Sequence, residues 1–457
     1  MKDFRAVGLI LFFFLIQTIA ASAQASVSPY GRYGPGDLSI NNQPVIESMG
    51  GSSAAFSDSG VINLQQPASL TSLGSGLVIL EAGFFSALGN YQLGNQQNRG
   101  TNAGFGYLAL AIPMVKNRWT AALNLSPYSA AGYTLRDTLI MAGNTPVEQQ
   151  NNGSGGFSSL GFSNAIRLSK NLSIGLTVNY LFGRMDYSAE ARFTEDPNIR
   201  SSSTVKTIWL NGLDYTGGLL AQHRFRRAFN WERDSLGNKS GRKLFSGLDS
   251  LHLIGGIRVS PTVDVQGRQG LLATTFLGNL QEPDTVLFND RQKGSILLPM
   301  RVGASLALKN SHDKWLIMTD FSYTDWNRFR KFGDRDSVRS SFRISAGFQY
   351  HPRPENFGAG ARNYFQKIRY RAGAFYSDGY LKPYGEAIPE LGFSIGFGLP
   401  FVWKTYYANR SATHTLNIAL TASQRGLSNG ASLKEQIFRL SVGIAFNDRW
   451  FHKRQYE

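Results

Sequence analysis

Segments of about ten residues, the length of a tilted membrane-spanning strand, alternate large apolar side chains with small or polar ones and recur down this 457-residue chain. Successive side chains of a strand point to opposite faces. Near the C-terminus, Phe438, Leu440, Val442, Ile444 and Phe446 therefore share one face, and Arg439, Ser441, Gly443 and Ala445 share the other. Leu391, Phe393, Ile395, Phe397 and Leu399 alternate with Gly392, Ser394, Gly396 and Gly398. Leu172, Ile174, Leu176, Val178 and Tyr180 alternate with Ser173, Gly175, Thr177 and Asn179. A soluble sandwich turns its bulk toward a core and its charge toward water. Here the bulky face stands opposite mainly Gly, Ser and Ala, as a closed sheet in lipid requires: bulk toward hydrocarbon, small or polar groups toward a lumen. The expected fold is all-β, a transmembrane antiparallel β-barrel.

The pattern predicts about fourteen strands, near 76–89, 102–113, 117–126, 157–168, 171–184, 204–223, 250–264, 295–309, 314–327, 339–351, 366–377, 388–400, 412–424 and 435–447. An even number returns the chain to its starting side. With a periplasmic start, the turns Val115–Asn117, Lys170–Asn171 and Lys309–Asp313 are short and periplasmic, while 134–155, 185–203 and 265–294 are long and outside. Arg224–Asp249 is long yet periplasmic, so it is either an insertion or a sign of a miscounted strand. The aromatic last strand, with Trp450 and Phe451 beyond it, suits recognition by barrel-assembly machinery during biogenesis.

Lys2 and Arg5, the apolar run Leu9–Ile16 and Ala21-Ser22-Ala23 read as an export signal over residues 1–23. The run is too short for a spanning helix. Cysteine is absent, which excludes disulfides, thiolate metal sites and a lipoprotein anchor. The net charge is +16, but the basic residues are scattered and export disfavours a nucleic-acid partner. Phosphates of outer-membrane lipid, or an anionic solute, suit that charge better.

Met49-Gly50-Gly51-Ser52-Ser53-Ala54-Ala55 and Gln66-Pro67-Ala68-Ser69-Leu70, with Trp315–Trp326, Tyr370–Asp378 and Gly396–Pro400 further on, resemble the FadL/TodX family of outer-membrane porins for long-chain fatty acids and hydrocarbons. The likeness covers nearly the whole mature chain. Gln66 stands where the family usually has Asn. The resemblance implies that residues 24–72 form an N-terminal hatch or plug in the lumen of a barrel spanning 73–457. It also implies that Met49, Gly50, Pro67, Ala68 and Ser69 contact ligand. A periplasmic leader is the other reading of 24–72.

No catalytic or metal-binding constellation stands out. The six histidines are scattered, no nucleophile elbow occurs, and neither an enzyme nor a cofactor is expected. Alternation places Arg167, Arg258, Arg301, Arg343, Arg369, Arg371 and Arg439 on the lumen face, against mainly Asp320. These arginines either line a route for a carboxylate head group or pair with Asp37, Glu47 and Asp58 of the hatch. Pro127 cannot donate to a sheet ladder, so Ser126, Pro127, Tyr128 and Gly132 mark either the outer end of the third strand or an opening in the wall. The family releases apolar cargo sideways at a kinked third strand, which makes these four residues a candidate lateral exit.

These features together predict a Gram-negative outer-membrane channel for passive uptake of a hydrophobic or amphipathic small molecule. The alternative is a FadL-like barrel serving as partner subunit of a protein-secretion machine, similar to the PorV type. A general diffusion porin is a third possibility.

Overall fold

In the computed structural model, residues 28–39, 43–74, 76–140, 146–193, 199–225, 229–233, 239–243, 251–277, 284–310, 313–352, 364–403, 412–426 and 433–449 are described. The export signal, residues 24–27, and Trp450 and Phe451 lie outside them.

The wall is a closed antiparallel barrel of 14 strands. In chain order they are β1 (Leu77–Leu93), β2 (Gln96–Val115), β3 (Trp119–Ala130), β4 (Pro146–Arg167), β5 (Leu172–Phe193), β6 (Ser201–Arg224) and β7 (Leu251–Ser260). Then follow β8 (Arg301–Asn310), β9 (Trp315–Thr324), β10 (Ser341–Tyr350), β11 (Arg369–Ser377), β12 (Glu390–Trp403), β13 (Ala412–Arg425) and β14 (Lys434–Arg449). Each pairs with its sequence neighbour, and β14 closes on β1 from Leu77↔Arg449 to Gln92↔Lys434. Every expected strand overlaps one of these. Leu80, Phe84, Phe162, Leu176, Ile344, Phe393 and Leu440 are exposed on the outer surface, the bulk that hydrocarbon chains would cover.

Three differences have physical causes. The expected strand 295–309 is two strands, because Pro299 interrupts the ladder between Asp284–Leu298 and β8. The long outer connections are hairpins. Tyr133–Ile140 pairs with the upper half of β4, β5 and β6 continue upward together, and Val263–Phe276 pairs with both β6 and Asp284–Leu298. These extensions stand above the apolar band, where alternation no longer has to separate lipid from lumen. Third, Arg224–Asp249 contains a separate hairpin, Phe229–Arg233 with Lys239–Lys243. Since β6 and β7 pair directly, from His252↔Arg224 to Val259↔Gly217, this stretch is an insertion and the strand count stands.

The tall sheet leans on an apolar layer over the mouth. Met185, Ile208, Leu210, Val265 and Ile296 pack with Trp326 and Phe329 of the connection between β9 and β10. The ring of Trp326 stacks on Tyr380 at 5.0 Å.

Candidate functional site: the filled lumen and the seam at the third strand

Residues 28–39 and 43–74 lie inside this wall, the first stretch at the mouth and the second leading to the start of β1. Two short elements give the segment its shape. Pro44–Glu47 forms one helical turn and Pro67–Ser72 a 3-10 helix, each begun by a proline whose fixed φ suits a first helical position. Ile46, Met49, Ala54, Phe56, Ile62 and Leu70 are almost wholly buried.

The segment fits because the inner wall lacks side chains beneath it. A methyl at Gly347 or Gly373 would collide with Met49, one at Gly396 with Ser48, and one at Gly256 with the Ala54 carbonyl. Pro67 and Ala68 lie in the same way on Gly175, and Pro67 also on Gly218. Glycine is the residue that lets backbone approach this closely. Gly50 has φ +69°, a left-handed conformation, and its N–H donates to Ser394 Oγ at 3.0 Å. Ser69 Oγ donates to the Gln66 carbonyl at 2.6 Å. Gln66 serves as more than a turn residue: its amide donates to the carbonyls of Ala54 at 2.8 Å and Ile257 at 3.1 Å.

Each candidate lumen arginine has a partner. Arg369 pairs with Asp58 at 2.9 Å. Arg439 lies 3.6 Å from Glu47 and its guanidinium 4.1 Å from the centre of the Phe85 ring. Arg258 donates to Ser53 Oγ and Gln65 Oε1, both at 2.6 Å, and faces Asp320 at 3.6 Å. Arg343 lies over Phe375, 3.7 Å from the ring centre, and donates to the Gly50 carbonyl at 3.3 Å. Arg371 donates to Gln349 at 2.8 Å and Asn417 at 3.1 Å. Arg167 donates to the Thr71 carbonyl, and Arg301 pairs with Asp214. At the mouth, Arg425 meets Asp37 at 3.0 Å and Glu390 and Glu435 at 3.6 Å.

Sequence reasoning missed Glu81, Asp214 and Glu435, all buried. Their parity was readable: Glu81 shares the face of Gly83 opposite Leu80 and Phe84, and Glu435 that of Arg439. Glu81 accepts from the Ile62 N–H at 2.7 Å, and Asp320 accepts from the N–H groups of Ser53 at 3.1 Å and Ala54 at 2.8 Å. Burial by itself would raise the Asp58 carboxyl, but Arg369, Lys309 and the Gly60 N–H together hold it well below the usual carboxylate range.

The wall is discontinuous at the third strand. β2 pairs with β3 from Val115↔Trp119 up to Leu108↔Leu125 and no further. Above that level β2 pairs with β1, and among the described residues no strand pairs with its other edge. The freed edge of β3 is covered from inside: Asp37↔Ala130 and Leu38↔Ser129 form a short antiparallel ladder, and the Ser39 N–H donates to the Tyr128 carbonyl at 3.0 Å. On its far side β3 bulges against β4 between Pro127 and Ser129. Gly132 lies in the link to Tyr133–Ile140. A cavity of about 340 Å³ reaches Ser126, Pro127 and Tyr128 from the lumen. Eight charged residues also line it, Asp37, Asp214, Arg258, Arg301, Asp320, Arg343, Glu390 and Arg425.

A closed fourteen-strand wall interrupted at its third strand has the fold of the FadL/TodX-type barrels. The chain belongs to the BamG family, whose model matches residues 4–457. In fold it is similar to the toluene transporter TodX of P. putida, with 12% identity, a TM-score of 0.54, and 89% of this chain and 98% of that one covered. It is also similar to the CymD monoaromatic hydrocarbon channel, with 14% identity, a TM-score of 0.51, and 92% and 98% covered. No curated protein matches the chain.

Proposed function

We propose that this barrel works as a subunit of an outer-membrane barrel-assembly machine, with its N-terminal segment as a fixed plug and its tall outer hairpins as contact surface. The observation that carries this reading is how the lumen is held. Ion pairs at Asp37, Glu47 and Asp58, together with backbone seated on bare glycines, secure the segment from the mouth to the start of β1. Breaking a discrete buried pair such as Asp58–Arg369 by removing one partner costs about 3–5 kcal/mol, so a plug held there and at further points is a poor gate. Membership of the BamG family supports the same reading, since that designation carries a barrel-assembly name. Affinity purification of the full chain from detergent-solubilised outer membrane should recover barrel-assembly subunits in fixed stoichiometry, and depletion of the chain should lower other outer-membrane barrels. Recovery of the chain alone, with normal levels of those barrels, overturns the proposal.

Passive uptake of a hydrophobic or amphipathic small molecule, with hatch movement and lateral release, is the second reading. The seam between β2 and β3 favours it, because the cavity reaches Ser126–Tyr128 there. An apolar cargo gains about 25 cal/mol per Å² by leaving water for bilayer. The charged lining weighs against hydrocarbon, since ligand sites for such molecules are mostly apolar. An amphipathic molecule with an anionic head fits the arginines better. Replacing Pro127 to continue the ladder should abolish uptake of a radiolabelled fatty acid if this reading holds; unchanged uptake removes it.

A further inference from the structure

The outward face of the tall sheet carries a cationic row that neither the plug nor the seam uses. Arg184 on β5 stands directly opposite Trp209 on β6. Trp209 stands opposite Arg268, and Arg268 opposite Lys293 of Asp284–Leu298. Directly paired residues share a face of the sheet, so the four side chains form one horizontal stripe across four strands. Their neighbours fix the direction. Met185, Ile208, Leu210, Val265 and Ile296 belong to the apolar layer inside, so the residues between them point outward. The guanidinium of Arg184 lies 5.5 Å from the centre of the Trp209 ring, and Arg184, Arg268 and Lys293 are exposed. Acids on the same face include Asp186, paired with Arg184 at 2.9 Å and accepting from Thr207 at 2.6 Å, Glu190 further out, paired with Arg192 at 2.5 Å, and Asp264, two outward positions below Arg268.

The height of the stripe identifies what it meets. Below Arg184 on the same face of β5 come Phe182, Tyr180, Leu176 and Ile174, all exposed, with the rings of Tyr180 and Phe182 stacked at 5.8 Å. Exposed aliphatic side chains mark hydrocarbon depth, and aromatic rings mark its boundary with the head groups. The cations begin one outward position above that boundary, on the side where the hairpins are long, which is the cell exterior. Asn211 and Gln266, paired across β6 and Val263–Phe276 one outward position lower, add neutral hydrogen-bonding groups at head-group level.

We propose that Arg184, Trp209, Arg268 and Lys293 form a binding site for the phosphorylated head group of an outer-leaflet glycolipid. Two arginines and a lysine offer donors in a row to phosphate oxygens. The indole offers a flat face to a sugar ring, and the aromatic and aliphatic band below receives the acyl chains. Free anions in solution lack those chains and gain nothing from the band.

The test uses the full chain in detergent, with native mass spectrometry reading retained lipid and bisphosphorylated lipid A as the probe. The wild-type protein should retain lipid A, and R184Q/R268Q/K293Q should bind it on the order of tenfold more weakly or worse, since each cation near a charged surface counts separately. Removing three exposed cations from the periplasmic rim, K116Q/R118Q/K170Q, should leave retention unchanged. Should the triple variant fail to fold, as judged by heat-modifiable gel mobility, K293Q alone on its exposed strand should still weaken binding several-fold. Equal retention of dephosphorylated lipid A, equal loss in the periplasmic-rim variant, or displacement by millimolar inorganic phosphate would each overturn the site.

Discussion

At mid-lumen the N-terminal segment is held by shape and charge together, and at the mouth mainly by charge. Around Met49 and Ala54 the wall supplies bare glycine backbone, and any added carbon collides. At the mouth one guanidinium, that of Arg425, is shared among Asp37, Glu390 and Glu435. A steric seat tolerates nothing larger but is indifferent to pH and salt. A shared ion cluster loses one member cheaply, because the cation keeps other partners. Asp320 combines the two regimes, capping the backbone of Ser53 and Ala54 while facing Arg258.

Because the chain contains no cysteine, a single Ser57→Cys reporter, buried in the folded protein, reads plug release as maleimide labelling. The largest effect is expected from Asp320→Ala, which orphans two N–H groups and leaves Arg258 without its carboxylate, at about 3–5 kcal/mol. Labelling should become fast; slow labelling would mean that Asp320 is dispensable to the seat. Gly373→Leu should follow at about 1–3 kcal/mol, with labelling that high salt does not change. Asp37→Asn should cost about 1 kcal/mol or less and loosen only residues near the mouth, so labelling at position 57 should stay slow. If Asp37→Asn releases the reporter as readily as Gly373→Leu, the distinction between shape and charge fails.

Acid provides the mildest probe, silent at neutral pH. His351, just past β10, is pushed down to about 4 by burial and by Arg369. A base whose folded value is depressed binds fewer protons folded than unfolded, so its contribution is intact above about 6.5 and is lost as pH falls toward 4. Asp58 is also depressed; its contribution is full above the unfolded carboxylate value and is lost only in stronger acid. Resistance to urea should therefore decline between pH 6.5 and 4 in the wild type and decline less in His351→Gln, while the Asp58–Arg369 pair holds. A decline of equal size in His351→Gln would assign the titration elsewhere.

The wall was legible in the sequence because lipid on one side and a lumen on the other force alternation, so Leu391–Leu399 or Phe438–Phe446 admit one arrangement. Above the bilayer both faces meet water or other protein, and the Tyr133–Ile140 and Asp284–Leu298 strands carried no such signature. The arginines were legible as inward-facing by parity, but their partners were not. Which acid meets Arg301 depends on the stagger between β6 and β8, two strands far apart in sequence, and no local pattern encodes it. The ladder of Asp37–Leu38 on β3 was hidden for a simpler reason: two residues are too few to show a period.

The N-terminal plug has a consequence for how the cylinder comes to be closed. Its residues touch Gly175 on β5, Gly256 on β7, Gly373 on β11 and Gly443 on β14, staves drawn from early, middle and late in the chain. Joining the first stave to the last without help means bringing together ends several hundred residues apart, with the entropy loss such a loop entails. A mandrel that grips staves on every side divides that one long closure into several short ones.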